Sequence, residues 1–330
     1  MLVVVTGCAP DRGTDRGDLL TIGGYSVVRE AIHDGIIPAF AIKWREKTGR
    51  AVRFEESYNG SGAQSRAIAA GFDADVAILS LEDDMTSLVK AGLVSADWNV
   101  GPDKGFVTRS LVVIGVRPGN PKGIKEWRDI ARSGVGVLYP DPKTSGGARW
   151  NLNAIYGAGL LGDGSRPPDA STAKSLLAKV QANVINMDSS GRQSIGTFER
   201  GTGDAVVTYE NELRLRLNQR GGDAGLESVM PSRTLLIEGP AALVETSVDR
   251  HANRELASAF LGFMRSVEGQ AILVGYGFRP LAEAPPKGTF TMAELGGWPK
   301  INDDVCGPHG AWTSIFTDRH MSASATKEDR

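Results

Sequence analysis

The chain has 330 residues, too long for one small core and comfortable for two α/β lobes. Hydrophobic residues make up 41% of it, so a sizeable core can form and wholesale disorder is excluded. Lys and Arg number 37 against 39 Asp and Glu, a formal charge of −2, which leaves no electrostatic footprint for nucleic acid or an anionic membrane, so any anion held here must be attracted locally.

The opening "MLVVVTGC" is a short apolar run ending in Thr6-Gly7-Cys8. It resembles the end of a bacterial lipoprotein signal, which is cut before a cysteine that then carries lipid. That reading assigns lipidation to Cys8, a signal remnant and polar tether to residues 1–18, and an extracytoplasmic location on a membrane anchor. An ordinary free cysteine near a frayed terminus is the plainer alternative. Only seven residues precede Cys8, none of them basic, which a mis-assigned start codon would explain. No later apolar run reaches the ~20 residues that span a bilayer. Cys306, the other cysteine, lies in no Cys/His cluster, so neither a metal nor another cofactor is expected.

In chain order, "LLTIGGYSV" reads as a strand and turn, followed by an amphipathic helix over residues 28–48, bent at Pro38. "AVRFEESY" alternates as a strand, and Gly60-Ser61-Gly62 then opens the helix "AQSRAIAAG". "ADVAILS" is a buried strand. The helix on "LEDDMTSLVKAG" carries Asp83 and Asp84 in its first turn, where the dipole favours them. "SLVVIGVRPGNP" is a strand closed by Pro-Gly-Asn-Pro, "IKEWRDIARSG" a helix and "VGVLYP" a strand. "PKTSGGARWN" launches a helix over residues 148–161. A loop, the helix "TAKSLLAKVQAN" and the strand "VINM" follow. "DSSGRQSIGTFERG" is a third Gly/Ser turn, and "GDAVVTYENEL" is a strand running into a helix. "SRTLLIEGPAALVE" predicts one long strand interrupted near Gly239-Pro240. "RELASAFLGFMRSVEGQAILVGYG" predicts a helix, and residues 321–330 a disordered tail. The repeated strand–helix alternation predicts a mainly parallel sheet covered on both faces.

Three Gly/Ser turns, within residues 58–71, 142–151 and 188–201, each sit between a predicted strand and a helix. They therefore lie at the C-terminal edge of a parallel sheet, where open α/β folds hold ligands. The first turn of a helix leaves backbone N–H groups without partners, and the macrodipole makes that end partly positive. Glycine admits an oxyanion to the backbone, and Ser or Thr adds hydroxyl donors. Ordinary capping explains any one such turn as well; three in succession are what suggest a shared ligand. A P-loop is excluded because no G-x-x-x-x-G-K-[ST] is present, and a hydrolase elbow because Ser61 stands in N-G-S-G-A. His33, His251, His309 and His320 lie outside all three turns, so no nucleophile–base pair is indicated. Trp127, Trp150 and Trp298 read as packing residues.

The stretches "YSVVREAI", "NGSGAQSRAI", "ADVAILSLEDDM", "RPGNPKGIKEW", "PDPKTSGGARWN", "GTFERGTGDAVVTYENE" and "ELGGWPK" resemble the periplasmic sulfate-binding proteins that feed ABC importers, co-linearly from about residue 19 to about 316. The resemblance implies an α/β, two-lobed class II periplasmic binding protein fold. Each lobe is a mainly parallel sheet flanked by helices, and two hinge crossings join them. Lobe I would take residues 19–110 and about 212–320 with the C-terminal helices, and lobe II about 111–211. It also implies a tetrahedral oxyanion in the cleft, held by backbone N–H groups and hydroxyls with no cationic side chain against it. Carried over by motif, the backbone and hydroxyl of Ser145, the N–H groups of Gly146 and Gly147, Ser61 from the opposite lobe and a backbone donor at Gly191 should be contacts.

Two positions depart from the family pattern. Ser26 follows Tyr25 where the family has Asp; that contact is a backbone donor, so Ser26 should still serve. Tyr209 stands where the family has an indole donor, and a phenol can accept as well as donate. Sulfate, which only accepts hydrogen bonds at neutral pH, suits a donor-only site; a protonated oxyanion needs an acceptor, for which Tyr209 and Glu210 are the candidates. The implied function is the solute-binding component of a sulfate importer, with an ABC permease and ATPase as partners. Thiosulfate, phosphate or molybdate are the alternative ligands. An enzyme or a regulatory effector domain on the same fold is the alternative class, for which the turns supply no base or metal and the chain before the first strand no helix-turn-helix.

Overall fold

A computed structural model describes residues 18–219 and 225–315 of the chain. Cys8 and the tail 321–330 lie outside the described residues. β1 (Asp18–Tyr25), β2 (Val52–Asn59) and β3 (Val76–Ile78) run parallel in the order β2-β1-β3. β5 (Val137–Leu138), β6 (Val184–Asn186) and β7 (Ala205–Tyr209) do the same in the order β7-β5-β6. Two long strands join these groups. β4 (Phe106–Val116) and β9 (Thr234–Leu243) pair antiparallel with each other, while β9 reaches β3 at its far end and β4 reaches β7 at its own. The result is the expected mixed α/β organisation in two domains with two crossings.

β4 and β9 are buried almost throughout, so they read in sequence as continuous apolar runs rather than alternating ones. Gly239 and Pro240 do not interrupt β9. An ideal Cβ on Gly239 would lie 2.3 Å from Thr108 Oγ1, so only glycine permits this close crossing. Opposite Pro240, the register of β4 shifts between Phe106 and Thr108, an irregularity of the kind that accommodates a residue with no N–H to give.

The helix expected over residues 28–48 divides in three: a 3₁₀ turn (Ser26–Val28), a π-helical segment (Ala31–Ile36) and α1 (Ile37–Thr48). Pro38 occupies the first turn of α1, because its ring cannot sit against a carbonyl four residues back; the wider turn before it removes that clash. The long helix expected after residue 253 also divides, into α10 (Arg254–Arg265) and α11 (Val267–Gly275). Ser266 is extended and its hydroxyl accepts the Gly269 N–H, so capping chemistry overrides the continuous apolar pattern.

α8 (Glu210–Gln219), where the return to lobe I was expected, buries Leu213 with Leu111, Val113, Leu138, Phe198 and Val206 on the β7 side of the molecule. Residues 289–315 also pack there. Phe290 and Leu295 sit against Gly157 of α5 (Gly146–Leu161), and Trp298 meets Trp150 edge-on at 4.9 Å. Trp312 Nε1 donates to Gln181 of α6 (Ala170–Ala182). The reason is that α5 is buried on nearly all its faces and needs cover on the side away from the sheet.

α5 and α6 approach so closely that an ideal Cβ on Gly159 would stand 2.7 Å from the Ala173 Cα. Backbone cannot rotate aside as a side chain can. Gly159→Val is therefore expected to cost about 1–3 kcal/mol of stability, read as a lowered urea midpoint, and an unchanged midpoint would show that the two helices separate freely.

Candidate functional site

Each parallel strand delivers its C-terminal end to the same region of the molecule. β1 leads to the Ser26 turn, β2 through Gly60 to α2 (Ser61–Ala69), β3 to Ser80 and α3 (Glu82–Lys90), β6 to α7 (Gly191–Glu199), and β7 to Tyr209. Residues 139–145 carry β5 into α5.

These turns meet across the space between the two sheet halves. An ideal Cβ on Gly146 would fall 2.9 Å from Ser61 Cβ and 2.9 Å from Ser80 Oγ. On Gly60 it would fall 2.5 Å from the Thr144 carbonyl and 3.1 Å from that of Ser189, and the Thr144 hydroxyl donates to Ser189 O at 2.9 Å. On Gly147 it would meet the Tyr209 ring at 2.9 Å, and on Gly191 Val27 at 3.4 Å and Tyr209 at 3.9 Å. So Ser61, Ser145, Gly146, Gly147, Gly191 and Tyr209 come together, and the Ser26 turn borders them through Val27. Side chains at Gly60 and Gly146 would hold the two halves apart, and one at Gly147 would press on the Tyr209 ring, whereas at Gly191 a Cβ would make only ordinary contacts.

The amino ends of α2, α5 and α7 therefore point at one place, and their first-turn amides have no intrahelical acceptor. The capping chemistry differs among them. Ser190 caps α7 by accepting the Gln193 N–H, the ordinary use of a turn serine. Ser145 precedes α5 and makes no side-chain cap, so its buried hydroxyl is not spent on its own helix. Its backbone N–H, by contrast, donates to Asp141 O at 2.9 Å, so the expectation that the Ser145 backbone also serves a ligand does not fit this geometry.

Ser61 differs from expectation too. Its hydroxyl donates to Asp84 Oδ2 at 2.5 Å and accepts the Ser80 N–H at 2.9 Å, so the proton is already committed. What Ser61 can present is its backbone N–H at the start of α2. Glu210 turns away: its carboxylate takes Arg279 Nε and Nη2 at 2.7 and 2.9 Å and Arg214 at 2.9 Å. Tyr209 Oη instead meets Ser80 Oγ at 2.6 Å, and Trp150 Nε1 donates to both Ser80 O and Oγ. Trp150 is the packing residue it was read to be, but it also anchors Ser80.

Two arginines beside the helix starts are paired with carboxylates. Arg192, next to Gly191, spans Glu30 and the fully buried Glu212. Arg149, in the first turn of α5, pairs with Asp83 at 2.8 Å. Positive potential at the turns thus comes from backbone dipoles. Asp84 was read as a dipole-complementing residue and does lie in the first turn of α3, yet it is buried against Ser61, a role the sequence did not signal. Ser80 was also missed; its place just past a strand end at the sheet's C-terminal edge was the available clue.

Burial raises the pKa of Asp84, opposed mainly by the Ser61 hydroxyl. A carboxyl whose folded pKa is raised keeps its proton longer folded than unfolded, so the folded chain loses stability as pH rises from the ordinary Asp range through the raised value. Asp84→Asn, which keeps an acceptor for Ser61, is expected to flatten that decline. Urea titrations of both proteins across acid to neutral pH check this, and parallel curves would contradict it.

The comparisons agree with this architecture. The profile of the family described as bacterial extracellular solute-binding protein matches residues 30–279. The chain is 38% identical to the sulfate-binding protein of Synechococcus elongatus, covering 89% of this chain and 85% of that one. It is 35% identical to the sulfate-binding protein of Escherichia coli K12 over 88% and 91%, and 33% identical to the thiosulfate-binding protein of Pseudomonas aeruginosa over 89% and 90%. Among solved structures, the sulfate-binding protein SubI from Mycobacterium tuberculosis superimposes with a TM-score of 0.77 at 33% identity, covering 87% of this chain and 99% of that one. Two sheet halves bridged by β4 and β9, helix starts converging between them, and relatives matched along nearly their whole length lead to one conclusion: the chain belongs to the bacterial extracellular solute-binding proteins, and among them to the family of the sulfate-binding proteins.

Proposed function

We propose that the chain is the solute-binding component of an ABC importer for sulfate, and that it clasps the dianion between its halves on amides and hydroxyls alone. The observation that carries this reading is the convergence of the amino ends of α2, α5 and α7 on a glycine-lined point, with Arg149 and Arg192 tied to carboxylates. The names of the relatives support it. The donors are the amides of Ser26, Ser61, Gly146, Gly147 and Gly191, with the hydroxyls of Ser145 and Tyr209. Thiosulfate is the second reading, favoured by the thiosulfate-binding relatives at 32–33% identity.

The hinge lies where β4 and β9 pass each other, at the Ser110–Ile237 register. Lobe I then takes residues 18–109 and 238–288, and lobe II residues 111–219, 225–236 and 289–315. The anion bonds both lobes only when they are together, so it favours the closed form by that difference in affinity. The closed protein docks on a membrane permease and its ATPase, outside the cytoplasm, and a lipid on Cys8 would keep it near them. Among the described residues no helix is long and apolar enough to cross a membrane.

Titration calorimetry with sulfate, thiosulfate, phosphate and molybdate tests the reading. Ser145→Ala is expected to weaken sulfate binding by about 1.5–3 kcal/mol, the worth of a hydrogen bond to a charged group. Gly146→Asp should abolish binding, since its Cβ would meet Ser61 and Ser80 and its carboxylate would repel the ligand. Unchanged sulfate affinity in Gly146→Asp would remove that turn from the site.

A further inference from the structure

A groove of about 890 Å³ opens at the carboxyl end of α5, away from the helix starts that converge between the two halves. Ala158 in its wall stands about 18 Å along the helix axis from Gly146, at 1.5 Å per residue. The other walls are α4 (Trp127–Ile130), one face of α6 and the turn at Ser232 and Arg233. The floor is apolar: Trp127 and Ala158 are buried, and Ala131 and Leu176 are half-buried against the core. The rim is basic, with Arg128, Arg132, Lys179 and Arg233 set against Glu126 and Asp163. Both carboxylates are engaged, Glu126 by the Ser232 N–H and Asp163 by the N–H and hydroxyl of Ser165. Asp129, which takes the Lys125 and Glu126 N–H groups at the start of α4, lies near Arg128 and Arg132 and offsets part of their charge.

Lys179 and Arg233 have no such counterpart: among the described residues neither is paired with a carboxylate. Arg233 is the sharper case. Its Nε is closed off from solvent and has no hydrogen-bond partner, and its guanidinium carbon lies 5.8 Å from the centre of the Phe290 ring. A charged donor enclosed in this way is unfavourable until an acceptor reaches it. Its backbone is fixed from behind, because Trp127 Nε1 donates to Arg233 O at 2.8 Å. Across the groove, Ser171, Ser175 and Lys179 recur every four residues and so share one exposed face of α6. The walls therefore offer cations and hydroxyls to an anionic head, and the floor offers apolar surface to a carbon body.

We propose that this groove is a second ligand site, which takes a small organic anion: a flat apolar body carrying one carboxylate or sulfonate, with the head on the guanidinium fork of Arg233. A guanidinium meets either head through two parallel hydrogen bonds. Lys179 adds charge from the facing helix. A peptide would need free backbone groups along the groove. The helices spend most of theirs internally, and in the Ser232–Arg233 turn one N–H goes to Glu126 and one carbonyl to Trp127. Recognition therefore falls to side chains, and the volume lies within the ~300–1,000 Å³ of small-molecule sites. The site is separate from the cleft and does not depend on what the cleft holds.

The test is calorimetry with naphthalenesulfonate, naphthoate and the neutral naphthylmethanol, on the wild type, Arg233→Gln, Lys179→Glu and Gly146→Asp, with thermal melts to check folding. The wild type is expected to bind at least one of the two anions at one saturable site, the tighter of them identifying the head group, and the alcohol about tenfold more weakly. Arg233→Gln is expected to weaken the anion by about tenfold or more, the worth of hydrogen bonds to a charged group, and Lys179→Glu by severalfold. Gly146→Asp, altered only in the cleft, should bind the anion as the wild type does. Four results would each overturn the proposal: no saturable binding at millimolar anion, an alcohol bound as tightly, an affinity unmoved in folded Arg233→Gln, or binding lost in Gly146→Asp. None of them touches the sulfate reading. If Arg233→Gln does not fold, Lys179→Glu on the exposed face of α6 decides.

Discussion

Helix amino ends from both halves of the molecule have to come within van der Waals reach of one another, and most of what is unusual in the chain serves that approach. Backbone N–H groups in a first helical turn are unsatisfied and carry partial positive charge, so crowding several of them together is unfavourable unless something negative lies between. Side chains would prevent the approach, which is why Gly60 and Gly146 meet Thr144 O and Ser61 where a Cβ would stand. The same constraint keeps formal charge out: Arg149 and Arg192 lie beside the helix starts but are paired with Asp83, Glu30 and Glu212.

The two crossing strands make that approach possible without forcing it. β4 and β9 pair with each other and reach the parallel strands on either side, and at their crossing the Thr108 side chain fills the space over Gly239. The parallel strands on either side then aim their C-terminal ends into the same gap. Position of the site is thus a consequence of strand direction, and its composition a consequence of how near the two edges come.

Much of this was legible in the residues. Strand–helix alternation, Gly/Ser turns at strand ends and an uncharged balance pointed to local capture of an anion by backbone, and the motif resemblance pointed to the same place. The misses have two causes, one local and one not. Ser266 breaks a helix that hydrophobic pattern alone runs together, because a cap bond is worth more there than apolar continuity. α8 and residues 289–315 sit on the β7 side because the apolar faces of α5 and of the β4–β7 region need cover, and nothing local says which surface will provide it.

The sequence by itself determined the element types, the turn chemistry and the class of partner, since these depend on spacing and residue type within a few positions. Only the tertiary structure decided which hydroxyls remain available. Ser61 and Ser145 look alike as turn serines, yet one is bound by Asp84 from another helix and the other makes no cap. Ser80 and Tyr209 are 129 positions apart and share one proton. Hydrogen bonding is decided by proximity within about 3 Å, and between residues far apart in the chain that proximity exists only once the two halves are packed.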